Sequence, residues 1–169
     1  PPREPLALLR GLEEAVLDHC HAERVTITPG AEPLVRTMRR HGAYCLLVSG
    51  GFSRFADKVA ESIGFHRAIS NSLGIEKGRL SGTVADPIVG AEAKRRGLID
   101  AAGEHEVELA DVLAIGDGAN DIPMLEAAGL GVAYRPKPKV AEIAAARIEH
   151  NDLSALLYAQ GYARSEWAG

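Results

Sequence analysis

The chain has 169 residues, 46% hydrophobic and 25% charged, which suits a globular protein with one real core and room for a small appendage. A net charge of −4 provides no electrostatic footprint for nucleic acid or an anionic membrane, and no apolar run approaches spanning length. Cys20 and Cys45 make no disulfide framework, so a reducing cytoplasmic setting is expected.

Leu6, Leu8, Leu9, Leu12, Val16 and Leu17 recur near helical spacing and predict a helix over 6–21. Pro29-Gly30 opens a second helix over 31–40, with Leu34, Val35 and Met38 on one face and His41-Gly42 at its end. Residues 43–48, AYCLLV, form a short apolar run between glycines, the pattern of a strand buried on both faces. A helix over 53–63 stops at Gly64, and Ala68-Ile69 marks a further strand. Over 72–86, two alternating stretches flank Glu76-Lys77-Gly78-Arg79, which predicts a β-hairpin. A helix over 90–102 and a polar link lead to a strand at 112–115. Helix 122–128, strand 130–133, helix 137–145, strand 147–148 and helix 153–158 follow, and the tail from Gly161 is expected to fray. Strands and helices alternating at this spacing predict a three-layer α/β fold, a parallel sheet between helices. Ligands of such sheets gather at the carboxyl ends of the strands.

Two loops sit at such ends. In VSGGFS at 48–53, paired glycines let backbone N–H groups approach an anion, the next helix offers its N-terminal dipole, and Ser49 adds a hydroxyl. A plain strand-to-helix turn capped by Ser53 explains the same residues. In GDGAND at 116–121, Asp117 and Asp121 are carboxylates within reach of one point. They repel unless a cation lies between them, and Mg²⁺ suits such a pair. An Asx-turn followed by an aspartate cap accounts for each aspartate but not for Asn120. Lys94 opens a helix where its charge opposes the dipole; it either neutralises a phosphate or carboxylate or is solvated beside Arg95 and Arg96. Asp18-His19-Cys20-His21 offers metal-ligand residue types, but neighbours on a helix point apart. His41, His66, His105 and His150 are expected at the surface, and Arg135 to Lys139 is a short basic loop with helix-entry prolines.

Together, VSGGF at 48–52, AK at 93–94, AIGDGANDIPMLEAAGLGVAY at 114–134 and KPKV at 137–140 resemble the haloacid-dehalogenase-type phosphatases, within them the phosphoserine phosphatase branch. The hairpin IEKGRLSGTV at 75–84 and LALLRGL at 6–12 fit that branch too. The resemblance implies a Rossmann-like core over 25–160 with the hairpin inserted at 72–86, a remnant of a helical cap at 1–24 and a tail at 161–169. It also implies a Mg²⁺-dependent phosphomonoester hydrolase of L-serine biosynthesis acting on O-phospho-L-serine. Ser49 and Gly50 would bind the phosphoryl group, and Lys94 would balance its charge. Asp117 would ligate Mg²⁺, Asn120 would contact substrate, and Asp121 would hold the metal shell or Lys94.

The sequence departs from that family in two places. The family reacts through an aspartate in a DxDxT motif, with the second aspartate as general acid–base, and these 169 residues contain no such motif. The resemblance puts the strand that carries it between the strands ending in SGGF and GDGAND. Since residue 1 is Pro rather than Met, the chain is expected to be a piece or a processed form, inactive by itself. It is expected to close the gap, to recruit another copy as a homodimer, or to fold marginally. Where the family carries SLRxRVxLL, Pro5 takes the place of the arginine that binds the substrate carboxylate, and Arg3 takes the other arginine position. Two alternatives therefore stay open: a non-catalytic remnant that binds phosphate or a partner, and a phosphatase for another small phosphomonoester.

Overall fold

Short apolar runs become parallel strands here, and the amphipathic stripes between them become the covering helices. The computed structural model describes residues 4–168, with side chains from residue 6 onward; Arg3 and the side chain of Pro5 lie outside the described residues. In chain order the helices are α1 Glu4–Ala7, α2 Ala15–Arg24, α3 Ala31–Arg40, α4 Ser53–Ile63, α5 Ala91–Glu104, α6 Ile122–Ala127, α7 Pro138–Ala141 and α8 Ala155–Ala159. The strands are β1 Leu46–Phe52, β2 Arg67–Asn71, β3 Leu73–Glu76, β4 Arg79–Val84, β5 Leu113–Gly116, β6 Leu130–Tyr134 and β7 Ala146–Ile148. No helix among them is long and apolar enough to cross a membrane.

Strands β5, β6 and β7 form a parallel sheet in that order, with Ile115 opposite Val132 and Val132 opposite Ala146. Successive residues of its strands point to opposite faces, and each face has its own core. Ala114 and Ala133 pack with Leu98, Met124, Leu125 and Val140 from α5, α6 and α7. Val132, Leu113 and Ile115 pack with Leu34 of α3 and with Leu153, Leu156 and Leu157 at α8. The predicted three layers are present around this sheet. Gly131 is required at the centre of β6, where a Cβ would stand 2.3 Å from the Leu125 carbonyl oxygen.

The parallel pair β1–β2 is a separate sheet, with no hydrogen-bonded ladder joining β1 to β5. The expected gap therefore appears as a break in the sheet, bridged by helices. α5 packs against both β1 and α6, and α3 packs against both α4 and α8. At the α5 crossing, Gly97 brings the helix so close that a Cβ would lie 3.2 Å from Ile69 and 3.8 Å from Val48. The strand predicted to be buried on both faces is only half-buried along Leu46–Ser49, because it has a strand neighbour on one side alone. At its entrance, burial pushes the Cys45 thiol up to about 11, which keeps it protonated and unreactive.

Several predicted elements change in the fold. The helix over 6–21 breaks into α1 and α2, because the chain between them turns at Gly11 (φ 85°) and lies along the hairpin edge. The Gly11 N–H donates to the Leu80 carbonyl (2.8 Å), Leu80 donates back to Leu12 (2.9 Å), and Glu14 donates to Gly78 (3.0 Å). An open hairpin edge offers these bonds, and they outweigh helical periodicity. The hairpin itself closes through Lys77 and Gly78, both at positive φ (51° and 76°), which matches the twist of paired strands. The helix over 137–145 shrinks to the four residues of α7. His66 and His105 are exposed but not isolated, since their rings flank Tyr44 at centroid distances of 4.9 and 3.7 Å.

The tail does not fray. The Ala168 N–H donates to the Thr37 hydroxyl (2.9 Å), Trp167 packs at the edge of the core beneath α3 and α8, and Arg164 stacks over its ring at 4.0 Å. Trp167→Ala should therefore lower the unfolding free energy by about 1–2 kcal/mol, the scale of a partly buried aromatic ring. Urea denaturation reads this directly, and a change below about 0.3 kcal/mol would mean that the tail is loose.

Candidate functional site

Residues Ser49 to Gly51 lie at the carboxyl end of β1. The β1–β2 ladder runs regularly from Leu46 opposite Arg67 to Val48 opposite Ile69, then resumes only at Phe52 opposite Asn71. The intervening residues leave the ladder. The Ser49 hydroxyl oxygen accepts the Gly51 N–H at 3.0 Å, which curls the loop tightly before α4. Beside it, a shallow apolar groove of about 280 Å³ runs along Leu47, Ser49 and Gly51 of β1 and Phe55 and Val59 of α4. Of the predicted site residues only Ser49 lines it, and its apolar walls suit a covering segment of protein better than a phosphate.

The second loop follows β5. Asp121 is 3% exposed, and both of its carboxylate oxygens are engaged. Oδ2 accepts the N–H groups of Asp117 (3.1 Å) and Gly118 (3.0 Å), so the side chain ties its own turn shut. The tie requires Gly116, where a Cβ would fall 2.4 Å from that of Asp121. Oδ1 accepts from the Lys94 ammonium at 2.6 Å.

Lys94 is 8% exposed, whereas its neighbours Arg95 and Arg96 are at the surface. The solvated reading of Lys94 is thus incorrect: the fourth residue of α5 faces inward across the sheet break, while the next two face water. A charge so placed is expensive to desolvate and persists only against an opposite charge. Asp117 and Asn120 are exposed at the rim of the same turn. Asp18 in the DHCH stretch faces cations instead of a metal. The Lys58 hydrogen bond (2.7 Å), aided by Arg54, holds its carboxyl below the usual range.

The chemistry of the donors decides which of them could hold a metal. Both oxygens of Asp121 are committed to Lys94 and the two backbone donors, which leaves one acceptor site on Oδ1 of a residue 3% exposed, so its main work is to support Lys94 and the turn. Asp117 presents one hard oxygen at the rim, which fits a cation that takes few protein carboxylates and completes its shell with water and phosphate. No group of three or more His, Cys, Asp or Glu side chains gathers among the described residues. The residues present fit part of a Mg²⁺ site.

Asn71, absent from the sequence-based candidates, joins the two sides. Its side-chain N–H donates to the Gly50 carbonyl (2.7 Å), and its oxygen accepts the Val89 N–H (2.7 Å) just before α5. Nothing local in the sequence marks it, since the Gly50 carbonyl it binds lies 21 residues away.

These features define a class: a doubly wound α/β fold whose glycine turns and a buried ion pair line the carboxyl ends of its strands. The model of the haloacid dehalogenase-like hydrolase family matches residues 3–126, and the chain belongs to that family. It is 42% identical over 161 residues to phosphoserine phosphatase SerB2 of Mycobacterium tuberculosis, covering 95% of this chain and 39% of that protein. It is 45% identical over 161 residues to a phosphoserine phosphatase of Streptomyces coelicolor, again covering 95% of this chain and 39% of the relative. Among solved structures, it is similar to a substrate-bound phosphoserine phosphatase complex, with TM-score 0.87 and 34% identity, covering 93% of this chain and 74% of that one. The chain thus spans about two fifths of the length of the two curated relatives.

Removing one member of a buried ion pair leaves the other uncompensated. Asp121→Ala should destabilise the chain by about 3–5 kcal/mol, and the double change with Lys94→Met should recover the part due to the uncompensated ammonium but not the part due to the Asp117 and Gly118 N–H groups. Denaturant midpoints of the single and double variants measure both; equal loss in the two would show that the pair is not the source.

Proposed function

We propose that the chain is the core of a Mg²⁺-dependent phosphoserine phosphatase that acts on O-phospho-L-serine. The observation that carries this reading is the Lys94–Asp121 pair, which holds a buried cation beside the turn that presents Asp117 and Asn120. Ser49 and the Gly50 backbone receive the phosphoryl oxygens at the end of β1. Lys94 neutralises charge on the phosphoryl group and on the attacking carboxylate, while Asp121 keeps it in place. Asn120 contacts the substrate at the rim. Asp117 contributes one ligand to Mg²⁺, which when bound supplies charge stabilisation for the transferring phosphoryl group.

The attacking carboxylate comes from the DxDxT strand, seated in the sheet break between β1 and β5. Its oxygen forms a bond to phosphorus as the bond to the serine oxygen breaks, and the second aspartate gives that oxygen a proton. Water then hydrolyses the aspartyl-phosphate. The half-buried β1 and its apolar groove support a missing neighbour at this position.

The 169-residue chain alone, with Mg²⁺ and O-phospho-L-serine, should release no phosphate above background. Extending it with a DxDxT-bearing strand ahead of residue 1 should restore turnover, and Lys94→Ala in the extended protein should lower kcat by about 10²-fold or more. Turnover by the 169-residue chain would disprove the missing nucleophile. Turnover by the extended protein of other small phosphomonoesters but not of O-phospho-L-serine would reassign the substrate, as Pro5 at the arginine position would then explain.

A further inference from the structure

Asn71 is a polar side chain 6% exposed, at the end of β2, and both ends of its amide are bound to backbone from different loops. Where Ser49 to Gly51 leave the β1–β2 ladder, the Gly50 carbonyl takes its hydrogen bond from the Asn71 amide. The Asn71 oxygen holds the Val89 N–H, and one residue further the Gly90 carbonyl accepts the Lys94 N–H (3.0 Å) to open α5. One side chain therefore links the loop of Ser49 and Gly50 to the first turn of the helix that carries Lys94. The two segments lie in ordinary contact: a Cβ on Gly50 would stand 3.6 Å from the Val89 carbonyl oxygen.

We propose that Asn71 is a positioning residue that locks the Ser49–Gly50 loop to the Lys94 helix, so that a phosphate meets hydroxyl, backbone and ammonium in one fixed arrangement. This rests on the phosphatase reading above. The break between β1 and β5 makes such a lock necessary, since no ladder holds the two sides in register.

Asn71→Asp separates locking from bulk stability. One carboxyl oxygen still accepts from Val89; the other faces the Gly50 carbonyl and attracts it only when protonated, as the acid and not the carboxylate is a donor. Inorganic phosphate, titrated into the chain with ³¹P detection, should bind Asn71→Asp about tenfold more weakly than wild type near about pH 8, the worth of one hydrogen bond. Near about pH 5.5 the ratio should shrink to within about threefold. The Gly51 amide, which bonds Ser49 and not Asn71, should exchange faster in the variant at the higher pH while the melting temperature changes little. A ratio that is unity, or the same at both pH values, overturns the proposal. If wild type binds no phosphate, Gly51 exchange alone decides the lock: unchanged exchange overturns it, faster exchange upholds it, and the phosphatase reading is decided by turnover of the extended protein. Should Asn71→Asp not fold, Asn71→Ser is read by the same two measurements at the higher pH.

Discussion

A lysine ammonium and an aspartate carboxylate, 2.6 Å apart and both nearly out of water, lie where the parallel sheet is interrupted. Such a pair is a poor way to gain stability. Desolvating both charges consumes most of their attraction, and well-packed apolar residues of similar volume do as well or better. What the pair supplies is a cation at a fixed point. Asp121 spends its second oxygen on the N–H groups of Asp117 and Gly118, so the same carboxylate that holds Lys94 also shapes the loop beside it. Position of charge and shape of loop are therefore one variable.

The rest of the fold can be understood as a means of keeping that point fixed although the sheet is broken. Backbone ladders give register cheaply, but none joins β1 to β5. Register across the break comes instead from α5, which approaches β1 through Gly97 and reaches the other sheet through Leu98 and the Lys94 ammonium. On the opposite face α3 performs the equivalent task, with Leu34 in the core over Val132 and with α4 alongside. Helix packing tolerates sliding more readily than a ladder does. A directional contact such as Lys94–Asp121 therefore has more influence on geometry than its net energy suggests.

Much of this was legible in the sequence, for identifiable reasons. α3 and α4 have the predicted bounds because their stripes are bracketed by local stop signals, His41-Gly42 and Gly64, the latter at φ 103°. The hairpin was legible because Lys77-Gly78 can take positive φ together. The errors occur where a non-local partner decides. Residues 9–14 have helical periodicity, yet an open hairpin edge draws them out. The tail is expected to fray, yet Trp167 joins the core and its neighbour Ala168 donates to Thr37, 131 residues away. From its residues alone Lys94 was either solvated beside two arginines or set against an anion, because periodicity does not reveal that Asp121 faces it; only the family resemblance paired the two. Ser49, Asp117 and Asn120 stood out through glycine spacing and residue type. Asn71 did not, because a single asparagine at a strand end has no local signature.

The contrast between the two loops shows how the site divides its work. The turn after β5 is closed by its own residue, Asp121, four positions from Asp117. The turn after β1 is closed only partly by Ser49; its Gly50 carbonyl depends on Asn71, 21 residues away. A glycine-rich loop has many accessible conformations and loses more entropy on ordering than any other backbone. In the proposed phosphatase, such a loop left to itself would spend phosphate binding energy on its own ordering. Fixing it in advance to β2 and to the start of α5 removes that expense from binding. The residues of the glycine loop are thus the ones least able to hold its shape alone, and the side chain that completes them, Asn71, lies outside the motif.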